Sequence, residues 1–183
     1  MSRTLPKKNN LELAFATLTG ADEAATLDAL DRIEVHGDAK AIRPLLQALA
    51  KTEHDRVRQR IIGMLHQVKA PHAATELLSV LEDECSAQLR SVVLSSIWNA
   101  GLDVRDHLEK FIQHALKGDA MVAFECLTIV ENQEIWPEKA VRKAIALLEK
   151  TISASTMDHH GVILNDILLH LRERVGALPD DGT

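Results

Sequence analysis

A repeat of about 32 residues runs through this chain and constrains its fold more than any other feature. Ala41–Leu49 reads AIRPLLQAL, and Ala73–Leu81 reads AATELLSVL one period later. The pattern returns at Leu108–Leu116 (LEKFIQHAL) and, another period on, at Ala140–Leu148 (AVRKAIALL). Second apolar segments recur between these, with Val57, Leu89 and Met121 in equivalent places. A period of this length belongs to stacked supersecondary units, because a single unit has one apolar face and can bury it only against its neighbours.

Composition says what fills those faces. Apolar residues make up 46% of the 183, aromatics only 3%, and Tyr is absent. Leu, Ile, Val and Ala must then build the interior, which suits helix-on-helix packing and gives strands little to use. The net charge of −6 argues against a chain-wide role on nucleic acid, where clustered Lys and Arg must neutralise phosphates. Cys85 and Cys126 form no CxxC pair, as expected in a reducing compartment. The basic start MSRTLPKKNN is followed by an apolar run broken by Glu12 and Thr17, so neither a signal peptide nor a membrane span is read there. A cytoplasmic location without membrane attachment is the expectation.

Periodicity and breakers place the helices. One domain over residues 1–183 is expected, ordered from about 9 to 176, with tails at 1–8 and 177–183. Asn10 can cap a helix over 11–19, with Leu11, Ala14, Phe15 and Leu18 as its stripe. A second helix spans 21–35, with Gly37 as its stop. Pro44 falls inside an apolar helical pattern, where it would cost about 3 kcal/mol, unless Asp38–Arg43 form an opening turn and the main helix starts near the proline. Further helices are read near 55–68, 71–83, 87–100, 104–116 and 119–132, with Gly101 and Gly118 as breaks. Pro137 is placed in the first turn of the next helix, and a last helix covers 158–175.

The run GDAKAIRPLL, a turn, and then HDRVRQRIIGML resemble the short bacterial variety of HEAT repeats. In that family the first helix of a pair carries an apolar-x-Pro-Leu-Leu signature, matched here by Ile42, Pro44, Leu45 and Leu46. The second opens on an acidic residue followed by Val-Arg, matched by Asp55, Val57 and Arg58 and echoed by Leu89–Arg90; at Met121–Val122 the arginine is missing. The resemblance covers about residues 9–175 as five helix pairs. It implies an all-α fold, an α-α superhelix or right-handed solenoid, acting as a non-enzymatic scaffold that binds a protein or peptide on its concave surface. Tetratricopeptide repeats have a similar period, but their Trp-Leu-Gly-Tyr signature is absent.

Candidate site residues follow from a wheel at 100° per residue. If Val57, Ile61 and Leu65 face the core, Gln59, Gly63 and His66 face away, in frame with Ser91, Ser95 and Trp98 and with Ala123, Leu127 and Val130. In the family these outer faces of the second helices line the concave surface. Trp98, Leu127 and Val130 would make that strip apolar, as binding sites often are; the structural alternative is that Trp98 packs on the next repeat. Arg58 and Arg90 are expected to form a structural ladder on acidic turn residues, Asp55 and Glu84, rather than to read an anion. On the last helix Ile163, Leu164, Ile167, Leu168, Leu171 and Val175 form the expected buried stripe. Val162 and Leu169 lie opposite, either as stray surface residues or as a homodimer seam.

No metal, cofactor or catalytic motif emerges. His107 and His114 share a face but lie about 10 Å apart along a helix, too far for one zinc ion whose bonds are near 2 Å. His159 and His160 point about 100° apart. GxSxG, GxxxxGK[ST] and GxGxxG are absent. Cys126 reads as a small buried hydrophobe, and Cys85 is set among Glu82, Asp83 and Glu84, which oppose thiolate formation. The competing class is a HEAT-like enzyme or subunit. A bilin-lyase-like protein would need a pigment, and a DNA-glycosylase-like one would need a basic groove that the acidic balance disfavours.

Overall fold

The computed structural model describes residues 7–83, 86–152 and 158–176. It is all-helical there, with no strand among the described residues. The helices are α1 (Lys7–Thr17), α2 (Glu23–His36), α3 (Ile42–Lys51), α4 (Asp55–His66), α5 (Ala73–Glu82), α6 (Ala87–Asn99), α7 (Leu108–Lys117), α8 (Ala120–Asn132), α9 (Glu138–Ile152) and α10 (His159–Gly176). Short 3₁₀ turns, Ala39–Ala41 and Arg105–His107, precede α3 and α7.

Local chemistry explains most boundaries. Asp22, Ser86 and Asp119 cap α2, α6 and α8, each side chain accepting a hydrogen bond from a backbone amide of its first turn. Asp38 does the same for the turn at Ala39–Ala41. Pro44 is the third residue of α3, where its missing N–H breaks no intrahelical bond. Three sequence expectations need correction. Helix α1 starts at Lys7, so Asn10 lies inside it rather than capping it. Pro137 precedes α9, its carbonyl accepting from the Ala140 and Val141 amides as a cap residue's does. Gly37 ends α2 in extended, not left-handed, geometry (φ −72°), and glycine is needed for room: a Cβ there would lie 2.5 Å from the Ile33 carbonyl oxygen.

The helices form two compact units, residues 1–100 and 101–183. The division falls where the spacing of the first helices lengthens, from Ala73 to Leu108. Gly101 carries φ 59° there, left-handed backbone that glycine adopts without penalty.

In the first unit α1 packs on α2, α3 on α4 and α5 on α6. The pairs also stack like on like, α2 on α4, α4 on α6 and α3 on α5. Its core holds Leu30 and Ile33 of α2, Ile42 and Leu46 of α3, Val57, Ile61 and Leu65 of α4, Leu77 and Leu81 of α5, and Val93, Leu94 and Ile97 of α6, all buried. In the second unit α7 pairs with α8 and α9 with α10, while α7 stacks on α9 and α8 on α10. Leu108, Phe111, Ile112, Cys126, Ile129, Leu148, Ile167 and Leu171 fill its centre. Each fully buried Leu, Ile or Phe contributes about 1.5–3 kcal/mol of transfer free energy.

Trp136 closes this second core. Its ring is buried and meets Phe111 edge-on, centroids 6.4 Å apart and planes at 65°. Its indole N–H donates to the Val130 carbonyl at 3.1 Å. Val130 is in the last turn of α8, where carbonyls lack an intrahelical partner, so the tryptophan supplies one.

Candidate functional site

The candidate face divides between the two units, and its halves differ. In the first, Gln59 of α4 is exposed, while His66 and, on α6, Ser91, Ser95 and Trp98 are half-buried. The fold brings two of these together, with His66 Nε2 3.1 Å from Ser95 Oγ. Ser95 Oγ also lies 3.1 Å from the Val92 carbonyl, to which it can donate. The pair fastens α4 to α6.

In the second unit the sequence expectation is overturned. Ala123 and Val130 are fully buried and Leu127 is only 9% exposed, so none can greet a partner. The helix is rotated by about one residue from the repeat frame. Val122, Cys126 and Ile129 point inward, and Met121, the supposed counterpart of buried Val57, is 59% exposed. Phe124 lies beside it on the outer face, 51% exposed. The polar residues of AMVAFECLTIVEN, Glu125, Thr128, Glu131 and Asn132, fall within about 120° of one another on a wheel, with Met121 and Phe124 on the same side, so the helix's own pattern gives the face that the repeat frame misplaced.

On α10 Leu164, Ile167, Leu168 and Leu171 are buried as the stripe requires, with Ile163 and Val175 half-buried. Val162 and Leu169 remain outside, at 46% and 54% exposure. Along with Met121, Phe124 and Ile135, five of the seven large apolar side chains that the described residues expose belong to this unit.

Of the expected arginine ladder, the Arg58 rung takes a different form. Arg58 donates to the Thr52 carbonyl at 2.9 Å instead of bonding Asp55. Arg90 is half-buried, and Glu84, its expected partner, lies outside the described residues, as does Cys85. Ties between neighbouring pairs come from other cations, which sequence reading missed. Arg43 of α3 reaches Asp83 and Ser79 at the end of α5, both at 2.7 Å. Arg60 of α4 holds Asp31 at 3.0 Å and Glu34 at 2.5 Å on α2. Lys69 bonds the Ala100 carbonyl at the end of α6. Arg174 of α10 donates to the carbonyls of Gln133 at 2.6 Å and of Glu131 and Glu134 at 3.1 Å. Cations at helix C-termini satisfy orphan carbonyls and oppose the dipole's negative end.

An open cleft of about 310 Å³ in the first unit is lined by Ile33, Ala41, Leu45, Met64, Leu65 and Val68, with Glu34, Asp38 and Lys69. Burial pushes the Cys126 thiol far above its ordinary range, with the Glu125 charge adding to the effect, which leaves it unreactive. Among the described residues no group of three His, Cys, Asp or Glu side chains could hold a metal ion, and no helix is long and apolar enough to cross a membrane. Comparison of the chain with protein-family models, curated proteins and solved structures finds no match.

Proposed function

We propose that this chain is a HEAT-like repeat protein, an α-solenoid scaffold that binds a protein or peptide through the outer face of its second helices and carries out no chemistry of its own. One observation carries the reading. In the second unit, helices stacked like on like leave a row whose inner side is fully buried, yet whose outer side keeps Met121, Phe124, Val162 and Leu169 in solvent. Burying one such side chain at an interface gains about 1.5–3 kcal/mol, and large exposed apolar groups gathered on one face mark interaction sites. The stacking in the first unit, with Gln59, Ser91 and Trp98 along the equivalent helices, supports the same assignment.

The test is affinity capture with the intact chain as bait in extract from its own cells, read by quantitative mass spectrometry. A protein recovered in near-stoichiometric amount, and displaced by untagged chain, is the expected result. Recovery of nothing above bare resin, at bait concentrations up to tens of micromolar, refutes the scaffold assignment.

A further inference from the structure

In the first unit the repeat frame holds at the level of burial, and it exposes a place that the chain fills in one interval and leaves open in another. Ile33, Leu65 and Ile97 stand one period apart and are all buried, in the last turns of α2, α4 and α6. Between α4 and α6, Lys69 follows the end of α4 and donates to the Ala100 carbonyl just past α6, where a cation meets the negative end of the helix dipole. One period earlier the corresponding residues are Gly37 and Val68. Gly37 has no side chain to send across, and a Cβ there would lie 2.5 Å from the Ile33 carbonyl oxygen, so this position cannot supply the tie. Both residues line the open cleft of about 310 Å³ at the ends of α2 and α4.

The cleft suits the same kind of group. Ile33, Ala41, Leu45, Met64 and Val68 give it apolar walls, against which a methylene stem can lie while its charged end stays polar-bound. Three charged side chains line it. Glu34 is engaged by Arg60 at 2.5 Å, and the Lys69 ammonium by the Ala100 carbonyl. Asp38 is the third, and it is exposed. Its Oδ1 accepts the Lys40 amide at 2.9 Å, capping the Ala39–Ala41 turn, and it forms no ion pair among the described residues. A carboxylate can accept about four hydrogen bonds, so one amide leaves Asp38 able to hold a cation. The volume is at the lower end of ligand sites, about 300 Å³, which fits one side chain and not a packed helix.

We propose that this cleft receives a lysine side chain from a partner protein. Its stem lies along the apolar walls, and its ammonium meets Asp38 and the carbonyl end of α4, as the Lys69 ammonium meets the end of α6. With Oδ1 engaged, Asp38 presents one free oxygen, which suits a compact ammonium better than the two-pronged fork of arginine. The inference rests on the scaffold reading for the partner's being a protein, and it adds the chemistry of one contact and a site outside the row of second-helix faces.

The experiment titrates the intact, isotope-labelled chain with Nα-acetyl-lysine amide and with the same molecule acetylated on Nε, and follows backbone amides by NMR. The free-ammonium probe should give saturable shifts at Gly37, Asp38 and Val68, and the acetylated probe should bind at least tenfold more weakly. Asp38→Asn keeps a capping side chain but removes the charge, and should weaken the lysine probe at least tenfold. Ala70→Phe, in the cleft lining, should block it. Both variants should leave the circular dichroism unchanged. Asp106→Asn, which removes the same charge from an exposed turn of the second unit, should leave binding as it was. Equal binding of the two probes, shifts spread over every acidic surface, or indifference to both cleft substitutions overturns the proposal. So does putrescine binding at least tenfold more tightly than the lysine probe, since the site would then belong to a free amine. A partner captured from extract equally well by the Asp38→Asn and Ala70→Phe chains leaves the scaffold reading standing and removes this site.

Discussion

Trp136 is the residue whose removal should be felt most in the second unit. Trp136→Ala deletes a buried indole, and large-to-small changes of this kind cost about 3–5 kcal/mol. The structure divides that loss into parts. The edge-on contact with Phe111 at 6.4 Å is worth about 0.5–1.5 kcal/mol beyond area burial. The hydrogen bond to the Val130 carbonyl contributes about 1 kcal/mol, and losing it strands a buried acceptor. Lost burial and the cavity left behind supply the rest. Trp136→Phe keeps a ring but not the donor and should cost about 1–2 kcal/mol. Urea unfolding followed by circular dichroism at 222 nm reads both changes without relying on tryptophan fluorescence. Double-mutant cycles with Phe111→Leu should show a coupling of about 1 kcal/mol. If Trp136→Ala unfolds within 1 kcal/mol of the parent chain, the assignment of this side chain as a core closure is refuted.

Two further tests follow from local geometry. A Cβ at Gly118 would meet Val122 Cγ1 at 2.5 Å and the His114 carbonyl oxygen at 2.9 Å, whereas one at Gly63, inside α4, would meet nothing within 4 Å. Gly118→Ala should therefore destabilise by about 1–3 kcal/mol and Gly63→Ala stabilise by about 0.5–1 kcal/mol, with thermal melts deciding the signs; shifts in the same direction would contradict the structure. In a Cys85→Ser background, iodoacetamide at pH 8 should leave Cys126 unmodified in the folded chain and label it in denaturant. The buried thiol stays neutral there, and because only the unfolded chain can ionise it, stability should decline as pH rises past the thiol's ordinary 9.0. Labelling of the native chain at the unfolded rate would show that the side chain is accessible.

The sequence carried helix placement well because its signals are local. The glycines at 101 and 118 and the stripe from Leu164 to Leu171 each say the same thing at every level. Pro44 was informative because a proline in a helical pattern permits only an opening turn, which Ala39–Ala41 provides. The site was less legible. Extending the spacing of Val57 and Leu89 to Met121 placed Ala123, Leu127 and Val130 outward, whereas the helix's own polar residues, Glu125, Thr128, Glu131 and Asn132, share the opposite arc and mark the true outer face. Arg43, Arg60 and Arg174 went unnoticed because their partners are 26 to 43 residues away in sequence and are fixed only by the stacking. Trp136 gave no signal beyond its size, since it stands between helices where periodicity has nothing to report.

The like-on-like stacking has a consequence for how the chain reaches its native state. The principal packed partners within each unit are consecutive helices or next-but-one helices, so every loop that must close is short and its closure entropy small. Topologies of this kind have low contact order and fold on microsecond to millisecond scales. A nascent chain leaving the ribosome could consolidate each hairpin as it emerges, without waiting for its C-terminus.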